Sequence, residues 1–216
     1  MFFIMINLWI SIVKDKTAEI KFFARSNIPI FIDGAFLAFF VVLQNLSLYA
    51  IILYFCAEAF IKSGAAEIAA SDGKISAEEK SAIKSFFENN QWYNTISSAV
   101  LCVITLAVFV TYNGADYILN NTLAEIKWPF VYLLIFTASM FIPSKTRVEV
   151  VVRSMTSCVS SLLPSFLITL FIVETKLLSD PRNIWLGLIF VVTKTIINIL
   201  TYQTIEKKYI KEKPLS

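Results

Sequence analysis

The chain has 216 residues, of which 57% are hydrophobic and 16% are charged, and its formal net charge is +3. An average soluble domain is about 45–50% apolar and about 25% charged, so a soluble globular fold is excluded for most of this chain. Histidine is absent from the sequence, which excludes Ser-His-Asp and Cys-His catalysis and the helical His-Glu zinc motifs.

The remaining reactive residues form no constellation that a known reaction class needs. There is no Gly-rich phosphate loop, and Cys56, Cys102 and Cys158 all fall in apolar runs, as buried small hydrophobic residues do. We predict a protein that is not an enzyme and has no cofactor or metal site. A membrane enzyme that uses only carboxylates or lysine stays open. The small net charge argues against direct nucleic-acid binding.

The first segment, residues 1–33, is amphipathic. As a helix it would place Lys14, Lys21 and Arg25 near one face and large apolar side chains on another. This pattern is typical of a helix that lies in the membrane interface, although packing against a partner subunit would use the same faces. Pro29 should then break the helix before the first span.

Residues 34–61 carry the clearest apolar run, GAFLAFFVVLQNLSLYAIILYFCAEAFI. A bilayer core of roughly 30 Å needs about 20 apolar residues in a helix, whose backbone groups must all be paired internally. The run therefore predicts one transmembrane helix. Gln44, Asn45 and Ser47 would lie in mid-span, either as interhelical hydrogen-bonding groups or as part of a substrate pathway.

Residues 62–94 form a long polar segment, which predicts a small helical hairpin outside the membrane whose first arm continues the first span. A turn signal and a capping box separate its arms, and the second arm has an apolar side. It is too small to bury a core alone. The candidate site residues on this hairpin are Asp72, Gly73, Ser76, Glu79, Phe86 and Phe87.

The turn sequence Asp72–Glu79 is similar to the second half of an EF-hand loop and to a turn of tellurite-resistance-type helical domains. An EF-hand needs oxygen ligands at its first and third loop positions. Ile68 and Ala70 stand there in this chain. A capped turn therefore explains the motif better than calcium binding.

Residues 95–204 carry the remaining transmembrane helices, and residues 205–216 form a basic cytoplasmic tail. The candidate spans are Thr95–Tyr112, Trp128–Ile142, Met155–Val173 and Ile184–Tyr202. The second of them is short, about 23 Å as a helix, and is bracketed by prolines, so four spans compete with five. We predict four, because both basic ends then lie in the cytoplasm, with the hairpin on the opposite face.

Lys194 stands near the middle of the last span, where a lysine costs about 2.5–3.5 kcal/mol on insertion scales. A pore, a proton relay or an interhelical ion pair would explain it, with Asp33, Glu58 and Glu174 as candidate partners. A shifted helix whose lysine snorkels to the interface is the alternative. Asn198 is a further intramembrane polar residue in the same span.

Small residues recur at intervals of four, three and four residues from Ser154 into the candidate span Met155–Val173. Small side chains allow close approach of helices in membranes, so the stripe predicts a helix-packing seam, either within one chain or between copies. Its members are Ser154, Cys158, Ser161 and Ser165.

These segments together predict an all-α fold: a polytopic bundle of four, or five, transmembrane helices with an N-terminal interfacial helix and a small extramembrane hairpin. In size and layout, with four spans, a polar hairpin and basic ends, the chain resembles the membrane subunit of the two-protein Kiwa anti-phage systems. The resemblance implies a homo-oligomer in the bacterial inner membrane. Its hairpin would sense phage at the envelope, and its cytoplasmic basic ends would dock an effector protein.

Three functions stay open at this stage. The first is a non-enzymatic membrane subunit that acts by protein contacts as a sensor, anchor or scaffold. The second is a small ion channel or transporter built around Lys194, Gln44 and Asn45, although the sequence has no evident inverted repeat. The third is a membrane enzyme or a toxin-immunity protein.

Overall fold

The computed structural model describes residues 25–71, 122–141, 147–175 and 183–206, together with scattered positions between 100 and 120. These residues are helical apart from short turns, and none of them forms a strand. The predicted all-helical fold is therefore confirmed. Among the described residues, three helices are long and apolar enough to cross a membrane, and a fourth, shorter helix is also apolar.

A short 3-10 turn, Arg25–Asn27, precedes the helices that the structure describes. They are α1 Ile28–Gln44, α2 Leu48–Ser71, α3 Leu123–Ser139, α4 Arg147–Thr175 and α5 Ile184–Glu206. The long apolar helices are α2, α4 and α5, and α1 is the shorter one. With 17 residues, α1 is about 25 Å long, at the lower limit for a bilayer span.

The apolar run over residues 34–61 is not one helix, as the sequence predicts, but parts of two. Asn45 adopts a left-handed conformation, with φ 47° and ψ 52°, which ends α1. The Ser47 hydroxyl then accepts a hydrogen bond of 3.2 Å from the Ala50 N–H and caps the start of α2. The mid-span position predicted for the polar residues Gln44 and Asn45 is therefore wrong, because they lie at a turn between antiparallel helices.

Two prolines, Pro29 and Pro129, lie inside helices and do not end them as the sequence predicts. α1 begins at Ile28, ahead of the predicted boundary, because Pro29 fits in a first helical turn, where its missing N–H removes no bond. Pro129 lies inside α3 and does not bracket it, since that helix begins at Leu123. Pro164 lies inside α4, as the sequence indicates.

Two hydrogen bonds join the α1–α2 turn to α3. The backbone N–H and the hydroxyl of Ser47 both donate to one carboxylate oxygen of Glu125, at 3.0 and 2.7 Å. Further along, Phe136 of α3 lies beside Lys62 of α2, with 5.2 Å between the ammonium nitrogen and the ring centre. Helices α2 and α3 therefore run in the same direction.

The directions of α4 and α5 follow from their contacts with α2 and α1. Ala59 of α2 packs on Leu162, whereas Ala69 packs on the earlier residue Val150, so α4 is antiparallel to α2. Gly34 faces Thr195, and Gly187 faces Val41 and Ile51. Helix α5 is therefore antiparallel to α1 and parallel to α2.

The two ends of the bundle therefore consist of different helix termini, and we name them after Ile28 and Asn45. At the Ile28 end, α1 and α4 begin and α2, α3 and α5 finish. At the Asn45 end, α1 and α4 finish and the other three helices begin. Ser71, which leads into the predicted hairpin, therefore lies at the same end as the start of α1 and as Glu206.

This arrangement corrects the predicted topology. The sequence predicts the hairpin on the face opposite both termini, because residues 34–61 would then make a single crossing. The turn at Asn45 adds a reversal, which returns α2 to the Ile28 end. Three segments lie outside the described residues: 1–24, 72–94 and the tail after Glu206. The second of them contains all six candidate site residues of the predicted hairpin.

Helices α2 and α4 form the centre of the bundle. In α4, 93% of the apolar stretch is buried inside the protein, whereas only 39% of the α5 stretch is. The outer faces of α1, α3 and α5 carry large exposed apolar side chains, among them Phe39, Leu43, Ile135, Trp185 and Ile189. Such faces suit contact with lipid.

Candidate functional site

Four charged side chains meet inside the bundle, and we call them the charge cluster. Asp33 comes from α1, Glu58 and Lys62 come from α2, and Lys194 comes from α5. Each of the four residues is at most 2% exposed. The cluster lies near the middle of both α2 and α5.

Each lysine of the charge cluster contacts both carboxylates. The Lys194 ammonium lies 2.6 Å from Glu58 Oε2 and 3.1 Å from Asp33 Oδ2. The Lys62 ammonium lies 2.8 Å from Glu58 Oε1 and 3.5 Å from Asp33 Oδ2. The formal charges, two negative and two positive, cancel.

Helix α4 completes the polar environment of Glu58 with hydroxyl groups. Ser157 donates a hydrogen bond of 2.7 Å to Glu58 Oε1, and Ser161 donates one of 2.9 Å to Glu58 Oε2. The Lys62 ammonium in turn donates to the Ser157 hydroxyl at 2.9 Å. The charge cluster therefore ties α4 to α2.

Aromatic rings cover the two ammonium groups. The Lys62 nitrogen lies 5.2 Å from the centre of the Phe136 ring, and the Lys194 nitrogen lies 5.7 Å from the centre of the Phe55 ring. Both distances are within the range of a cation–π interaction. The rings therefore add to the stabilisation of the two buried ammonium groups.

Local structure explains how these residues meet. Glu58 and Lys62 are four residues apart, so they share one face of α2. Asp33 comes level with them because the Asn45 turn folds α1 back along α2. Gly34 has no side chain, and a Cβ there would collide with Thr195, so this glycine allows α5 to bring Lys194 close to α1.

Lys194 is paired with two of the three acidic residues that the sequence suggested. Asp33 and Glu58 contact it, whereas Glu174 lies in the last turns of α4, and its side chain is outside the described set. The snorkelling alternative is wrong, since Lys194 is 1% exposed. Asn198 lies one turn further along α5 and is buried as well.

Gln44 and Asn45 do not join this site. They lie at the Asn45 end, about 18 Å along α1 from the level of Asp33. The predicted polar pathway that combines them with Lys194 is therefore wrong, and the α1–α2 reversal is the physical reason.

All four members of the predicted packing seam are fully buried. Ser161 reaches Glu58 of α2, and Cys158 packs with Ala59 of α2. Ser165 donates to the Ser161 carbonyl at 2.7 Å, and Ser154 lies one turn before Cys158. The seam therefore packs within one chain, which decides between the two alternatives for the described part of the molecule.

Lys62 is not among the site residues predicted from the sequence, because it stands at the start of the polar segment. The spacing of Glu58 and Lys62 was the available signal, because an acid and a base four residues apart in an apolar run form a pair that can be buried together. Cys56 and Cys158 are buried in the bundle, as the sequence predicts, and Cys102 lies outside the described residues.

A cavity of about 240 Å³ adjoins the charge cluster on the side of the Ile28 end. Asp33, Lys62 and Ser157 form part of its wall, together with Arg153 and Asn198. The charge cluster therefore borders open space on the side of the Ile28 end. Within the described ranges, no group of His, Cys, Asp and Glu residues has the arrangement of a metal site.

Comparisons with protein-family models, with curated proteins and with solved structures found no match for this chain. The geometry of the charge cluster and its cavity is therefore the basis for assigning a function.

Proposed function

We propose that the protein is a non-enzymatic, multi-span membrane subunit that acts through protein contacts, as a sensor or anchor of a bacterial anti-phage complex in the inner membrane. The observation that carries this proposal is the buried, charge-balanced cluster that joins α1, α2, α4 and α5. A bundle held in this way presents fixed outer surfaces to neighbouring subunits. The anti-phage role itself comes from the resemblance to the Kiwa membrane subunit.

The balance of charges supports a scaffold more than a pore. An ion pathway needs charged groups that face water, whereas Lys194 contacts two carboxylates and is 1% exposed. A charge pair buried in a bilayer is costly unless it is well paired and hydrogen-bonded, and this cluster satisfies both conditions.

The proposal assigns both termini to the cytoplasm, because Lys and Arg are concentrated near them. The geometry of the bundle puts Ser71 at the same end, so the polar segment after α2 joins the basic ends as one cytoplasmic docking face for an effector protein. Any envelope signal would then act on the Asn45 end.

Purification tests the proposal. The protein solubilised in mild detergent from its native host should be a homo-oligomer by native mass spectrometry, with a co-purifying soluble partner. Replacing the lysines within residues 207–213 by serine should remove the partner but keep the oligomer. Lys127→Ser, which changes an exposed lysine near the Asn45 end, should keep both. A monomer without a partner would contradict the proposal.

The cavity beside the charge cluster favours a small channel or transporter as the second candidate. It brings open space to Asp33 and Lys62, which a transported ion or proton would need. Liposomes that contain the protein would then show an ion flux that Lys194→Leu abolishes. Absence of flux, or an equal flux through the variant, would eliminate this candidate.

A further inference from the structure

The cavity beside the charge cluster has an unusual wall for a membrane bundle. Six of its lining residues are polar or charged: Asp33, Lys62, Ser139, Arg153, Ser157 and Asn198. Ile32 also lines it and is 44% exposed, so the cavity reaches the outer apolar surface of α1. A molecule could therefore enter it from the lipid side near the Ile28 end.

Three atoms in this wall have no hydrogen-bond partner among the residues that the structure describes. Asp33 Oδ1 and Asn198 Oδ1 are acceptors, and Arg153 Nη1 is a donor. The three residues are 2%, 3% and 7% exposed. Buried polar groups in native proteins nearly always have a partner, and leaving them without one is costly. The wall thus has a place for a ligand.

The remaining contacts of these residues define the charge that the ligand should carry. The Arg153 Nε group donates to Glu149 at 2.8 Å and its Nη2 group donates to the Ser26 carbonyl at 2.9 Å, while Lys62 is paired with Glu58. The lining charges are therefore already compensated, so a ligand with a net charge would be disfavoured. A zwitterion with N–H donors at one end and an anionic acceptor at the other fits the three unpartnered atoms.

Size and surroundings indicate the source of this zwitterion. A volume of about 240 Å³ is smaller than the range of about 300–1,000 Å³ that is usual for pockets that hold drug-sized molecules, so it suits a headgroup without acyl chains. Next to the cavity, the exposed residues Ile32, Phe36 and Phe39 form an apolar strip along α1 on which acyl chains can lie.

We propose that this cavity binds the headgroup of an ethanolamine phospholipid from the surrounding bilayer. Its primary ammonium donates to Asp33 Oδ1 and Asn198 Oδ1, and its phosphate accepts from Arg153 Nη1. The lipid acts as a structural ligand that joins α1, α4 and α5 at the Ile28 end. This inference requires that the bundle lies in a membrane, but it does not depend on the proposed partner or on any defence role.

Native mass spectrometry of the purified full chain, with defined lipids added to the detergent, tests the proposal. Phosphatidylethanolamine should bind about tenfold more tightly than phosphatidylcholine, whose trimethylammonium has no N–H donor, because hydrogen bonds to buried acceptors are lost. Phosphatidylglycerol, which lacks the ammonium, should bind with a similar deficit. Equal binding of the three lipids would overturn the proposal.

Asn198→Leu removes one of the acceptors with little change in volume. The variant should lose most of the preference for phosphatidylethanolamine, and it should gain less thermal stability from that lipid than the parent protein does. Asn45→Gly, which removes an asparagine at the opposite end, should keep both properties. An unchanged preference in Asn198→Leu would overturn the proposal, and the melting temperature without lipid shows whether the variant is folded.

A final measurement separates the lipid from a soluble molecule with the same headgroup. Glycerophosphoethanolamine, which has no acyl chains, should compete with phosphatidylethanolamine only at a large excess. Competition at equal concentration would overturn the assignment to a membrane lipid. If neither phosphatidylethanolamine nor glycerophosphoethanolamine changed the thermal stability, water alone would occupy the cavity. That result would overturn the proposal as a whole.

Discussion

At the scale of single residues, the charge cluster combines a high cost of burial with an opposite charge in contact with each of its members. Each of its lysines contacts two carboxylates, and Glu58 also accepts hydrogen bonds from Ser157 and Ser161. Removing one member would leave an uncompensated buried charge, whereas removing an acid and a base together would keep the balance. The cluster is therefore sensitive to charge more than to the identity of any one side chain.

The first prediction concerns Lys194→Met. It leaves two carboxylates with a single lysine in the bundle, so the free energy of unfolding in detergent should fall by about 3–5 kcal/mol. The double variant Lys194→Met with Asp33→Asn restores neutrality and should recover a substantial part of this loss. Chemical denaturation followed by circular dichroism measures both values.

Lys127→Met is the matched control for this substitution. Lys127 is exposed, so its replacement should change the free energy of unfolding by less than about 0.5 kcal/mol. If Lys194→Met were as mild as the control, or if the double variant were less stable than the single one, charge balance would not be what stabilises the bundle.

The residues of the charge cluster differ in how far the sequence reveals them. Lys194 was identifiable because a lysine inside an apolar run needs an acidic partner, and Asp33 and Glu58 were among the few candidates. Lys62 was missed because it stands at the border of a polar segment, where a lysine is ordinarily solvated. Only the three-dimensional register of α1 and α2 shows that it is buried.

At the scale of helices, the α1–α2 turn decides which residues can meet. A hydropathy window averages over about 20 residues, so a turn of three residues inside an apolar run leaves the signal nearly unchanged. Asn45 and Ser47 carried the local signal, since asparagine tolerates the left-handed conformation and serine is a good N-cap. The all-helical class could be predicted from composition, but the number of helices in the run could not.

The second prediction uses substitutions at Asn45 to test this turn. Asn45→Ala should lower the free energy of unfolding by about 1–2 kcal/mol, because alanine is strained at φ 47°. Asn45→Gly should change it little, because glycine adopts this conformation freely. A continuous helix through this position would give the opposite order, with glycine about 1 kcal/mol less stable than alanine.

The third prediction concerns the close contact of α1 and α5. A Cβ at Gly34 would collide with the Thr195 side chain, so Gly34→Ala should force the two helices apart and lower the free energy of unfolding by about 1–3 kcal/mol. Adding Thr195→Ala removes the obstructing atoms and should restore much of the stability. Denaturation in detergent, as above, measures both variants.

Gly64→Ala provides the control for the glycine substitution. Gly64 lies in α2, and a Cβ there would meet no atom within 4 Å. Alanine should therefore be neutral or stabilise the helix by up to about 1 kcal/mol. A loss at Gly64 equal to the loss at Gly34 would show that backbone flexibility, and not the contact with α5, is the cause.

At the scale of the whole molecule, the number of reversals determines at which end of the bundle α2 finishes. If each apolar run makes one crossing, the sequence predicts a bundle with the hairpin opposite both termini. The described helices instead bring the starts of α1 and α4 and the ends of α2, α3 and α5 to the Ile28 end. Charge patterns near the termini could not reveal this, since they report only which side the basic ends prefer.

The fourth prediction tests this arrangement most directly, by labelling cysteines with a membrane-impermeant maleimide in a variant whose three native cysteines are replaced. Single cysteines at Ser71 and Glu206 should react from the same side of the membrane, and a cysteine at Asn45 should react from the other side. Reaction of positions 71 and 206 from opposite sides would contradict the helical hairpin of α1 and α2, and with it the charge cluster that this hairpin assembles.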